Sequence, residues 1–142
     1  MTGQPRPVQR MDANGTAWRM RSLVAMGHDA TRIARALDIT PDVVRRLIRG
    51  DSRTVAVGFH ALACQLWNAW WDKRPPERTV TERRAAARAC RQAMTCDWPA
   101  AAGLDEDRLD RPGCHYRPAA GTGVAADFDP YAIKQRQVRE IA

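Results

Sequence analysis

ATRIARALDITPDVVRRLIRG, residues Ala30 to Gly50, carries a helical repeat of apolar residues that changes phase midway. Ile33, Ala34 and Leu37 recur at helical spacing, the pattern stops at Asp38-Ile39-Thr40-Pro41, and Val44 and Leu47 resume it in a new phase. A single amphipathic helix would hold one stripe at three- and four-residue intervals throughout. The broken phase therefore predicts two short helices meeting at an angle. Asp38 falls where a left-handed residue is needed, a geometry aspartate tolerates better than most side chains. Thr40 suits an N-cap, Pro41 the first helical turn, and Asp42 the positive end of the helix dipole. Ile33, Leu37, Ile39, Val44 and Leu47 are expected to face inward, with small Ala34 at the closest approach. Thr40, Pro41, Asp42, Arg45, Arg46 and Arg49 are left pointing outward.

At the start of the chain, residues 1–13 are polar, carry Pro5 and Pro7, and read as a flexible arm. NGTAWRMRSLVAMG, from Asn14, reads as a helix with Trp18, Leu23 and Met26 on one side and Gly27 as its stop. Residues Thr54 to Asp72 read as a longer amphipathic helix, with Val55, Phe59, Leu62, Leu66 and Trp70 at spacings of four, three, four and four. Pro75-Pro76 ends it. Thr79 and Glu82 have capping-box spacing ahead of an alanine-rich helix that runs to about Thr95. After Trp98-Pro99 the chain turns to Ala, Gly, Pro and Asp, the composition of a largely irregular tail that allows a last short helix over about 130–141. No strand pattern and no internal repeat stand out. The fold class is therefore all-α, with a core over 14–53, a long helical pair over 54–96 and an acidic, mostly irregular tail over 97–142.

The chain of 142 residues suits one domain plus a tail, and 44% hydrophobic content can supply its core. No run nears the ~20 apolar residues needed to span a bilayer. MTGQPRPVQR has no apolar stretch after its charges, so no secretory signal is read. The expectation is a soluble, cytoplasmic, nucleoid-associated protein. Net charge is +7, and 21 of the 23 basic residues are arginine. Such an excess calls for a polyanionic partner, and arginine adds planar bidentate contacts to bases or phosphates. Residues 1–53 hold ten basic and five acidic side chains, residues 73–96 seven and two, and residues 97–129 three and seven. A basic body precedes an acidic segment.

Two helices joined by a short turn form the helix-turn-helix, whose second helix enters the major groove of double-stranded DNA. Arginine is the commonest reader of guanine there, so Arg45 and Arg46 are the first candidates for base contact. Thr40 belongs to the same reading surface, and Asp42 would accept from cytosine or orient an arginine. Arg32, Arg49 and Arg53 are placed at phosphate, which positions a protein without reading sequence. One helix of this size reads few base pairs, so a homodimer is expected. Its surface, or the core beneath it, would use Phe59, Leu62, Leu66, Trp67 and Trp70.

Over residues 14–53 the segment resembles the helix-turn-helix of phage-repressor-like regulators, the Cro/repressor type. A wider likeness over about 14–112 is to small helix-turn-helix proteins of actinobacteria, their phages and mobile elements. It rests on LWNAWWDKRPPERTVTERRAAARA and DWPAAAGLDEDRLDRP. The resemblance implies DNA binding, transcriptional control, and a reading surface on the outward positions of the second motif helix. Asp38 departs from the glycine usual at the turn. Beyond Pro112 the likeness ends, and YAIKQRQVREIA is all that stands where some relatives continue into a second such motif.

His28, His60 and His115 with Cys64, Cys90, Cys96 and Cys114 invite a zinc site, but none shows tight paired spacing. Reduced thiols are expected, with Cys64 and Cys90 as small buried hydrophobes. Arg84, Arg88 and Arg91 line one side of their helix, where a phosphate row and a solvated face weigh equally. DEDRLD, residues 105–110, is by default a solvated loop, with contact to the transcription machinery as its sharper reading. No glycine-rich phosphate loop, catalytic motif or carboxylate cluster is present, so the chain is read as a non-enzyme without cofactor. Two rivals to a regulator stand beside it. One is a protein-interaction adaptor using the Trp-rich helix or the acidic tail, and the other an architectural accessory of recombination on a mobile element.

Overall fold

Helix α1 (Asn14–Ala25) is the hub of the fold in the computed structural model, which describes residues 7–110 and 116–118. Gly15 through Met20 and Ser22 through Val24 are all buried, so the helix is covered on nearly every side rather than along one stripe. That is why its sequence shows only weak amphipathic order. Around it the described chain is mostly helical: α2 (Ala30–Leu37), α3 (Pro41–Arg49), α4 (Val57–Trp70), α5 (Val80–Thr95) and the single turn α6 (Glu106–Leu109). Helices α3, α4 and α5 each pack on α1, and α2 packs on α3 and α4.

A two-stranded antiparallel sheet joins β1 (Arg10–Asp12) to β2 (Thr54–Ala56), pairing Met11 with Val55. The sequence reading put these residues in a flexible arm and in the first turn of a helix. Strands of three residues are too short for alternation to declare itself, and this pair spans more than forty positions of chain. Helix α4 accordingly starts at Val57, and Val55 is buried from the strand.

Four helices end in the same way. The left-handed residues Gly27, Asp38, Gly50 and Asp97 follow α1, α2, α3 and α5. In each case the next N–H reaches back five residues: His28 to Leu23, Ile39 to Ala34, Asp51 to Arg46 and Trp98 to Ala93, at 2.8–3.0 Å. This is the Schellman arrangement, which satisfies carbonyls the helix leaves open. Asp38 adopts φ 55° and ψ 47°, the geometry expected of it.

The inward face of α4 is turned from the one the sequence suggests. Ala63 and Trp67 are buried, Phe59, Leu66 and Trp70 are half-buried, and Leu62 is 51% exposed. Trp67 donates its indole N–H to Ser22 Oγ at 2.7 Å, and that hydroxyl donates to Arg19 O. Helix α5 opens with the expected capping box between Thr79 and Glu82. It lays Ala86, Ala89, Cys90 and Ala93 against its neighbours, a small-residue face that lets it approach α1 closely.

The segment after α5 is tied to α1. Arg19 and Asp110 form a two-point ion pair at 2.8 and 2.6 Å, with Arg19 Cζ 5.7 Å from the Trp67 ring centre. Gly15 leaves the room, since a Cβ there would strike Asp110 Oδ1. Tyr116 is buried, its carbonyl accepts from Trp18 Nε1 and Asn14 Nδ2 at 3.0 Å, and its hydroxyl accepts from the Asp105 N–H. Of the tail read as irregular, residues 97–110 and 116–118 thus carry a 3-10 turn (Ala101–Gly103), α6 and a buried tyrosine. Residues 1–6 of the arm, Cys114, His115 and the terminal helix over about 130–141 lie outside the described residues. No helix among the described residues is long and apolar enough to cross a membrane.

Candidate nucleic-acid interface

Helix α3 presents two unlike sides. Val44, Leu47 and Ile48 are 0–3% exposed, and Leu37 and Ile39 pack at the edge of the same core with buried Ile33 and Ala34. Opposite them, Thr40, Asp42, Arg45, Arg46 and Arg49 are exposed. Burial of the apolar side, at about 1.5–3 kcal/mol for each large residue, fixes which side remains outward. Three residues, Asp38 to Thr40, separate α2 from α3.

The outer side is organised locally. Arg45 Nη1 donates to Asp42 Oδ1 at 3.1 Å, three residues apart on the helix, and Arg49 Nε donates to Asp51 Oδ2 at 3.0 Å. Both pairs are exposed, so they contribute little stability and yield readily to another acceptor. Thr40 is extended at the start of α3 and makes no side-chain cap bond, unlike the cap read from the sequence; its carbonyl accepts from the Val43 N–H instead. Val43, which the sequence reading passed over, is 37% exposed among these polar groups. Its signal was present, an apolar residue one step off the inward stripe.

The residues expected at phosphate divide. Arg49 and Arg53 are exposed at and beyond the end of α3. Arg32 is half-buried: its Nε donates to His28 Nδ1 at 3.1 Å and its guanidinium lies 4.5 Å over Trp70, leaving its two terminal nitrogens for other acceptors. Asp29 caps α2 by accepting from the Arg32 N–H at 2.8 Å. Arg84, Arg88 and Arg91 are exposed on α5, which is held on α1.

Arg21 and Arg10 carry a part the sequence did not disclose. Arg21 Nε donates to the Ile48 carbonyl in the last turn of α3 at 2.8 Å, and its guanidinium lies 4.5 Å from the Trp18 ring centre. Burial, and then the charge of Arg117, lowers its pKa from the ordinary arginine value. Arg10 donates to Thr54 Oγ1 and O across the sheet.

Among the described residues no three His, Cys, Asp or Glu side chains group to hold a metal ion. Cys64 does not sit in a purely apolar place: its Sγ is 3.3 Å from His60 Nε2, while His60 Nδ1 is 2.6 Å from Thr16 Oγ1. Burial pushes the Cys64 thiol up and the His60 imidazole down, which leaves both neutral near pH 7 and the thiol a poor nucleophile. Cys90 is buried, with its thiol toward Ala25 O at 3.6 Å. Comparison of the chain with protein-family models, with curated proteins and with solved structures finds no match in any of the three.

Proposed function

We propose that the chain is a sequence-specific, double-stranded DNA-binding regulator of transcription of the helix-turn-helix type, similar to the Cro/repressor group, in which α3 reads the major groove. The observation that carries this reading is the two-sidedness of α3. Its apolar side is wholly committed to the core, and its other side offers Thr40, Asp42, Arg45, Arg46 and Arg49 to solvent.

An α-helix fits the major groove, and arginine pairs bidentately with guanine O6 and N7. Arg45 is held by Asp42, so its guanidinium is partly oriented before a base arrives, and Asp42 remains able to accept from cytosine N4. Val43 supplies an apolar contact for a thymine methyl group. Arg49 meets phosphate, Arg32 adds its terminal nitrogens, and Arg84, Arg88 and Arg91 add a second exposed basic row on α5. A homodimer doubles the base pairs read. Helix α4 supplies its surface, because Val57 to Trp71 contains no charged residue, and Val57, Leu62 and Trp71 are exposed. The same uncharged face supports the second reading, an adaptor that binds another protein.

The test is selection of preferred sites from random duplex DNA by the wild-type chain and by the Arg45→Ala/Arg46→Ala variant. Each lost bidentate contact costs about 1–3 kcal/mol of discrimination, so the variant keeps binding but its selected site loses guanine positions. An unchanged site removes both arginines from the reading role, and no enrichment by the wild-type chain favours the adaptor.

A further inference from the structure

A cavity of about 520 Å3 lies between β1, the first turns of α1 and the segment that follows α3. Its charged lining is one-sided. Arg10 enters from β1, Arg21 from α1 and Arg53 from the loop after Gly50, against the single carboxylate of Asp12. Asp12 Oδ1 already accepts from the Asn14 N–H at 2.8 Å. Two of the three guanidiniums are tethered in ways that leave donors over. Arg10 uses Nε and Nη2 on Thr54, and Arg21 uses Nε on Ile48 O. Arg53 is exposed; its backbone carbonyl, which accepts from the Ala13 N–H, anchors the loop that carries it. The N-terminal turn of α1 on the cavity wall carries no acidic side chain, so its dipole adds to the same sign.

We propose that this cavity binds a small phosphorylated anion of nucleotide or sugar-phosphate size. Tethered Arg10 and Arg21, joined by Arg53 from a third element, can grip several oxygens of one phosphate group with little ordering of the first two. The volume falls in the range of small-ligand pockets and exceeds what one inorganic ion fills. A backbone phosphate of nucleic acid has the same chemistry, but the arginines here line a concavity, whereas the ridge on α3 is outward. The ligand would sit against Gly50 and the Arg21–Ile48 bond, in contact with the end of the proposed reading helix.

The test is calorimetric titration of inorganic pyrophosphate into the full chain at low ionic strength, repeated with Arg53→Gln, Arg10→Ala and Arg78→Ala. The wild type binds one pyrophosphate saturably. Arg53→Gln, which disturbs only an exposed side chain, weakens it about tenfold, as loss of a charge-assisted hydrogen bond does. Arg10→Ala weakens it as well, and Arg78→Ala, exposed and outside the cavity, leaves it unchanged. Absence of saturable binding, or equal losses from Arg78→Ala and Arg53→Gln, overturns the site. A second titration with duplex DNA present separates the sources. Undiminished pyrophosphate binding supports a free ligand, and stoichiometric displacement by the duplex overturns it in favour of a backbone phosphate. The first titration does not need the chain to bind DNA, so failure of the DNA reading shows separately.

Discussion

His28 is fully buried, and both its ring nitrogens are engaged. Nδ1 accepts from Arg32 Nε and Nε2 is 2.7 Å from the Lys73 carbonyl, which is satisfied only by the neutral ring carrying its proton on Nε2. The ring also stacks on Trp70 at 4.6 Å. Burial is the main reason its pKa falls to about 4, and the charges of Arg32 and Arg74 push the same way. Because folding favours the neutral form, the unfolded chain takes up the proton first as pH falls. The His28 contribution is therefore complete above about pH 6.5 and is lost between there and about pH 4. A shift of this size is worth up to roughly 3 kcal/mol. Urea unfolding of the wild type and His28→Gln at pH 7.5 and pH 4.5 checks it: the variant is less stable at pH 7.5 and loses less on acidification. Parallel losses in the two proteins would mean that His28 is not held neutral. None of this was legible in the sequence, where His28 stood out only as a metal candidate. Its partners lie four residues away for one nitrogen and forty-five for the other, and only the first distance is local.

At the scale of elements, what was readable was what is decided within a few residues. Helices α1, α2 and α3, the left-handed turn at Asp38, the stop at Gly50 and the capping box at Thr79 all follow from short-range geometry and appear where the sequence put them. The sheet and the phase of α4 depend on chain brought from elsewhere. Large side chains drew the expected stripe through Leu62, whereas small Ala63, with Trp67, is buried on the helix that packs against α1. Two substitutions separate these faces. Ala63→Leu overfills a packed contact and should cost about 1–3 kcal/mol in denaturant unfolding. Leu62→Ala, on an exposed side, should change unfolding by less than about 0.5 kcal/mol. If α4 pairs two copies, Leu62→Ala also weakens self-association in sedimentation equilibrium. Unchanged association would take Leu62 out of the dimer surface, and the opposite order of stabilities would contradict the phase.

Across the whole molecule, α1 gathers α3 through Arg21 and Ile48, α4 through Trp67 and Ser22, the end of α6 through Arg19 and Asp110, and Tyr116 through Trp18. The acidic segment was read as a solvated loop because its anchors, Asp110 and Tyr116, find partners ninety-one and ninety-eight residues earlier. Its acidic side chains are exposed along α6, while Leu104, Leu109 and Tyr116 are buried. The hub leaves the arginine side of α3 outward, and that is the feature on which the functional reading turns. The most direct measurement follows the backbone amides of the full chain by nuclear magnetic resonance while its selected duplex is added. The largest shifts should cluster at Thr40 to Arg49, with the buried centre of α1 and the outer face of α4 little moved. Shifts concentrated on α4 or the acidic segment, with Thr40 to Arg49 unmoved, would contradict the functional reading.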